Sequence, residues 1–161
     1  MGRSALPAIP LFVFGIVEPV LLVMAWITGN RDPFSFFAAQ APNHPLTTAD
    51  FAPQGLAMTL QIVNVYALLA AVAVACSFTR DAFTARVYLI FVSLADYGHI
   101  YATYRAVGDA YFWDVAGWHE MVASNVGVSA ALNVVRLLTL VGAFGSIRST
   151  VSESAVAKKR A

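Results

Sequence analysis

Cysteine is nearly missing from this chain: Cys76 is the only one in 161 residues. That excludes an intrachain disulfide framework and any cysteine-rich zinc site. Charge is scarce as well. Charged side chains make up 12% of the residues, about half the share usual in soluble domains. Ten basic residues nearly cancel nine acidic ones, so a nucleic-acid partner held by a basic field is excluded. No Asn-X-Ser/Thr sequon occurs, and no nucleophile elbow, phosphate loop or dinucleotide fingerprint is present. Nothing calls for a cofactor, and none is expected. What remains is apolar: 59% of the residues, with a mean hydropathy of +0.69. A soluble globule of this length has too little interior to hide that much apolar surface. The solvent is expected to be lipid.

A membrane-spanning helix needs about 20 mostly apolar residues. Four stretches meet that requirement, at about 7–28, 56–78, 86–105 and 125–147. They predict an all-α protein, an integral membrane four-helix bundle in a single domain. The first stretch carries Glu18 and Pro19, which argues against a cleaved leader. Between the first two stretches lies the loop Gly29–Gly55, with Pro33, Pro42, Pro45 and Pro53 breaking continuous helix. Its Phe34, Phe36, Phe37 and Phe51 place it on the membrane surface. The loop Arg105–Ser124 mixes Tyr111, Phe112, Trp113 and Trp118 with charge, the mark of a segment at headgroup level.

Basic residues set the orientation. In a four-span chain the N-terminus, the loop Thr79–Thr84 and the C-terminus share one side, carrying Arg3, Arg80, Arg86, Arg148, Lys158, Lys159 and Arg160. The opposite side has Arg31 and Arg105. Seven against two predicts both termini in the cytosol. Residues 148–161 then form a cytosolic basic tail. Its Lys158 and Lys159 resemble a dilysine retrieval signal, which points to a multi-pass protein of the endoplasmic reticulum membrane; an ordinary basic juxtamembrane tail is the other reading.

Ionisable groups inside a span are expensive, about 2.5–3.5 kcal/mol each on insertion scales, so each is a candidate site. Glu18, Asp96 and Arg136 fall near the middle of three different stretches, and His99 lies one helical turn from Asp96. Asn125, Ser129, Asn133 and Arg136 follow steps of 4, 4 and 3, a polar stripe ending on the arginine. Gln61 and Asn64 share a face of the second stretch. Tyr97, Tyr101 and Tyr104 adjoin Asp96 and His99. Polar stripes on lipid-spanning helices are expected to face one another. The expected pocket therefore has Asp96, Glu18 and His99 as catalytic candidates, lined by Arg136, Asn133, Asn64, Gln61, Tyr97, Tyr101 and Trp113. One arginine neutralises one carboxylate, and here there are two. The surplus carboxyl, if it keeps its proton, is a natural proton donor. The other reading is that the ion pair only glues helices together. Pro19 removes an amide donor to Gly15 and predicts a bend beside Glu18. No metal site is expected, because His44 and His119 belong to loops.

At Gly15-Ile16-Val17-Glu18-Pro19, Asn64-Val65-Tyr66-Ala67-Leu68-Leu69, Leu94-Ala95-Asp96-Tyr97-Gly98-His99-Ile100-Tyr101 and Tyr111-Phe112-Trp113-Asp114-Val115-Ala116-Gly117-Trp118, the chain resembles a fungal family of small four-span integral membrane proteins classed as a domain of unknown function. The resemblance covers roughly residues 7–147. It implies the membrane fold and a fungal source, and supplies no reaction. In site chemistry alone there is a looser similarity to membrane sterol isomerases and to fungal transmembrane meroterpenoid cyclases, which use acidic side chains to protonate lipophilic substrates. The expectation is a membrane-embedded acid–base enzyme, an isomerase or a terpene- or meroterpenoid-type cyclase, acting on a lipophilic small molecule in fungal secondary metabolism beside neighbouring pathway enzymes. The alternative is a non-catalytic lipid-binding or scaffold protein of the endoplasmic reticulum.

Overall fold

In lipid a backbone must satisfy its own polar groups, and a single apolar run does this by forming helix. The computed structural model describes residues 4–149 and is helical, with no strand among the described residues. Its long helices are α1 (Ala8–Arg31), α3 (Pro53–Ser77), α4 (Ala82–Val107) and α6 (Glu120–Leu140). Two short helices lie between them, α2 (Pro33–Ala38) and α5 (Asp109–Trp113). By length and composition α1, α3 and α6 can cross a membrane. Helix α4 is 26 residues long but carries Arg86, Asp96 and Arg105.

No helix runs continuously through 29–55, as the prolines predict, and two of them begin helices. Pro33 and Pro53 occupy the first turns of α2 and α3, where the missing N–H has no intrahelical partner to lose. Asp32 caps α2 by accepting from Ser35 N–H at 2.9 Å, and Asp81 caps α4 by accepting from Thr84 N–H at 2.7 Å. The Ser35 hydroxyl and N–H hold the Asp32 carboxyl below the usual carboxylate range, and the Thr84 N–H and hydroxyl do the same for Asp81.

The fourth stretch differs from its expected span of 125–147. Helix α6 begins five residues earlier, at Glu120, and stops at Leu140. Gly142 takes φ +86°, a left-handed value that suits glycine. The Gly142 and Ala143 N–H groups donate to the Thr139 and Leu138 carbonyls at 3.1 and 2.9 Å and close the helix end. The apolar run continues to Ile147, but as non-helical chain folding back to bury that side chain with Leu6, Phe14 and Leu89. Apolarity shows where lipid or core lies, not where a helix ends.

Helix α1 packs along α3, and α4 packs along α6. Glycines allow close approach in the first pair. A methyl group on Gly15 would stand 2.9 Å from the Phe78 ring, and one on Gly29 would collide with the Val63 side chain. At one end of the molecule, Ala5 N–H donates to the Thr79 carbonyl at 2.8 Å and Arg148 N–H to the Ala5 carbonyl at 3.2 Å. Ser4, Ser77, Ala82 and Ser149 join the same end. At the other end, Asn43 donates to the Val107 carbonyl at 2.7 Å and Asn125 to the Gln40 side chain at 2.9 Å. Successive long helices therefore run in opposite directions, and residues 4–6, 77–82 and 147–149 share one end. The basic tail with Lys158 and Lys159 lies outside the described residues, as does Arg3.

Candidate functional site

Helix α1 reaches Glu18 through a π-turn, Val13–Val17, directly before Glu18-Pro19. A wider turn spreads the hydrogen-bond ladder where Pro19 has no N–H to give, and the helix continues through it. Glu18 and Pro19 are both buried. Helix α6 contains a second π-turn, Ala123–Val128, and then presents Asn133 and Arg136 to the interior. Because α6 ends at Leu140, Arg136 stands one turn from the helix end and not at its middle as expected from the apolar stretch.

The three charges nonetheless meet. Arg136 is fully buried, and its two terminal nitrogens divide between two helices: Nη2 bonds Glu18 Oε1 of α1, and Nη1 bonds Asp96 Oδ2 of α4. Its guanidinium lies 5.0 Å from the centre of the Phe14 ring, a cation–π contact. Arg136 Nε has no partner among the described residues. Asn133 donates to the Ser93 carbonyl at 2.8 Å, to Ser93 Oγ at 3.0 Å and to Asp96 Oδ2 at 3.3 Å. Tyr88 donates its hydroxyl to the second oxygen of Glu18 at 3.3 Å. Two carboxyls face one guanidinium. With both ionised the cluster carries one negative charge; a neutral cluster holds one proton on a carboxyl.

Tyr88 was not among the candidates from the sequence. It stands two turns before Asp96 on one face of α4, with Val92 between them, and that i, i+4, i+8 spacing was the available signal. Tyr88 also lines an apolar cleft of about 340 Å³ between α3 and α4. Its other walls include Val72, Cys76, Phe83, Val87 and Phe91. The cleft opens on the outer surface, where Phe83 and Phe91 are exposed. A path of contacts thus runs from the outside through Tyr88 to Glu18 and on to Arg136 and Asp96.

The remaining expected pocket residues are placed elsewhere. Gln61 and Asn64 are exposed on the outer face of α3, because Thr59, Val63 and Ala70 occupy its inner face. Tyr97, Tyr101 and Trp113 are 55%, 57% and 69% exposed, so they line no interior pocket. Tyr101 accepts from Arg105 at 3.1 Å and Trp113 donates to Asp109 at 3.0 Å, both at the surface. His99 is half-buried, one turn beyond Asp96, and no side-chain hydrogen bond joins them. The expected stripe on α6 divides: Asn133 and Arg136 enter the cluster, while Asn125 turns to Gln40. Among the described residues no three His, Cys, Asp or Glu side chains gather so as to hold a metal ion.

No curated protein and no solved structure matches the chain. A family match covers residues 3–146 and so includes every member of the charged cluster and the cleft. The chain belongs to the family described as Domain of unknown function (DUF7704).

Proposed function

We propose that the protein is a membrane-embedded acid–base enzyme that isomerises or cyclises a lipophilic substrate without a redox cofactor. The observation that carries this reading is the contact path from the apolar cleft through Tyr88 to the Glu18–Arg136–Asp96 cluster. The substrate enters the cleft sideways from the bilayer. When the cluster's one proton sits on Glu18, the hydrogen bond to Tyr88 reverses: Glu18 gives that proton to the Tyr88 oxygen as Tyr88 gives its own hydroxyl proton to a double bond or epoxide oxygen. The Phe83 and Phe91 rings face the resulting cation. Loss of a proton from a neighbouring carbon returns it through the same pair, so the product is an isomer of the substrate. Arg136 holds Glu18 in place and balances its charge after transfer. This ranks Glu18 before Asp96, whose oxygen is already shared between Arg136 and Asn133.

The setting is part of the proposal. Helix α4 acts as a fourth span, its Asp96 neutralised inside the protein. The basic asymmetry places both termini in the cytosol, and Lys158 and Lys159 keep the protein in the endoplasmic reticulum. A fungal secondary-metabolite pathway, with neighbouring enzymes supplying the substrate, suits the chemistry. The test is the lipid extract of a host expressing the chain with its genomic neighbours. The expected result is a new species of the same mass as an accumulated precursor.

A second reading has its own support. Arg136 is 0% exposed and both carboxyls are paired, a closed arrangement that suits a structural clamp. The protein would then bind a lipid in the cleft, or hold partner enzymes, without chemistry. An extract in which the precursor persists unconverted favours this reading.

A further inference from the structure

The outward face of α3 is unusual for a helix that meets lipid. Gln54, Gln61 and Asn64 are all exposed there, and Ala57, Leu68, Ala71 and Ala75 lie on the same side. At 3.6 residues per turn, Ala57, Gln61, Asn64, Leu68 and Ala71 form one stripe, opposite the inward Thr59, Val63 and Ala70. Asn64 is the twelfth of the 25 residues of α3, which places it near mid-bilayer when the helix spans. Each amide has two donor hydrogens and an acceptor oxygen. Asn30 and Gln40 turn theirs back onto the Trp26 and Phe36 carbonyls, at 2.8 and 3.1 Å. Gln61 and Asn64 enter no side-chain hydrogen bond among the described residues. In hydrocarbon no water can satisfy them.

We propose that this face is where a second copy of the chain docks, through Asn64 and Gln61. Two properties select a second copy as the occupant. An amide is both donor and acceptor, so the stripe is complementary to itself across a two-fold axis. Copies inserted with the same orientation are related by an axis along the membrane normal, which sets α3 against α3 in parallel and brings equal depths together. Asn64 then faces Asn64, and Gln61 follows one turn away. Ala57 and Ala71 flank the amides and let the backbones approach. Interhelical amide bonds combined with small residues are a recognised route to helix association in lipid. This inference rests on α3 spanning the bilayer and is independent of the acid–base reading.

The test is disulfide cross-linking of the purified full chain in phosphatidylcholine vesicles. Cys76→Ser removes the natural thiol, and Leu68→Cys places one on the stripe, where Leu68 is 61% exposed. Ile62→Cys is the control, 45% exposed but off the stripe. The expected result is a dimer from Leu68→Cys and none from Ile62→Cys. Adding Gln61→Leu and Asn64→Leu should cut the dimer at least about tenfold. Asn64→Gln, which keeps an amide, should preserve it. The leucines lie on the outward face of α3, opposite the buried Thr59, Val63 and Ala70, so helical content serves as the folding check. Absence of the Leu68→Cys dimer, equal yield at both positions, or a yield unchanged by the leucines overturns the proposal.

Discussion

Replacing Arg136 by methionine removes one cation from between two carboxyls and leaves the shape of the linear side chain largely filled. The cost follows from the geometry. Arg136 is 0% exposed and pairs with Glu18 and Asp96 on two other helices, so its loss leaves buried carboxyls with no cation. Breaking a buried pair from one side costs about 3–5 kcal/mol. The lost contact with the Phe14 ring, 5.0 Å away, falls inside that range. At roughly 2–4 °C per kcal/mol for a chain of this size, Arg136→Met should lower the melting temperature in detergent by about 6–20 °C. The triple variant Glu18→Gln, Asp96→Asn, Arg136→Met removes all the charges together. It should recover most of the loss and melt within about 1 kcal/mol of the native protein, since a neutral, well-packed replacement of an ion cluster is often tolerated. Both are measured by tryptophan fluorescence during heating. An Arg136→Met variant that melts like the native protein refutes the reasoning, as does a triple variant no more stable than the single one.

Three further outcomes follow from other parts of the fold. Gly29→Leu drives a side chain into Val63 and should destabilise the α1–α3 pair by about 1–3 kcal/mol, read from the same melts, whereas Gly98→Leu, with open space at its Cβ, should not. The cap hydrogen bonds of Asp32 and Asp81 hold their carboxyls below the usual range, so their stabilisation is complete above about pH 4 and fades as pH falls through the lowered folded value; melts between pH 3 and 6 should show Asp81→Ala losing that acid dependence in part. A glycosylation acceptor inserted between residues 42 and 47 should be modified in microsomes and one at either terminus should not; the reverse pattern contradicts cytosolic termini.

Scarcity made the charged cluster legible. In a chain with so little charge, Glu18, Asp96 and Arg136 within apolar stretches had to be paired, and the 133–136 spacing put Asn133 beside the arginine. The direction of the other polar residues was not legible. Apolar residues surround α3 on every side, so no amphipathic pattern says which face meets protein, and Gln61 and Asn64 were expected inside when they face outward. Tyr97 and Tyr101 were grouped with Asp96 by nearness in sequence, yet the inner face of α4 runs through Tyr88, Leu89, Ser93 and Asp96. The end of α6 was hidden for another reason. The run to Ile147 stays apolar because it returns to the core, and the stop depends on the left-handed backbone at Gly142.

The central claim is that the cluster supplies a proton to a substrate in the cleft, and deuterium transfer tests it most directly. Membranes bearing the native chain are supplied with the accumulated precursor in deuterated water, beside membranes bearing Glu18→Gln and Asp96→Asn. The account predicts an isomeric product carrying one deuterium from the native chain. It predicts none from Glu18→Gln, which keeps the shape and most of the hydrogen bonding but has no acidic proton to give, while its melting temperature stays close to native. Full activity in Glu18→Gln, or a product protonated at carbon that carries no deuterium there, would contradict it.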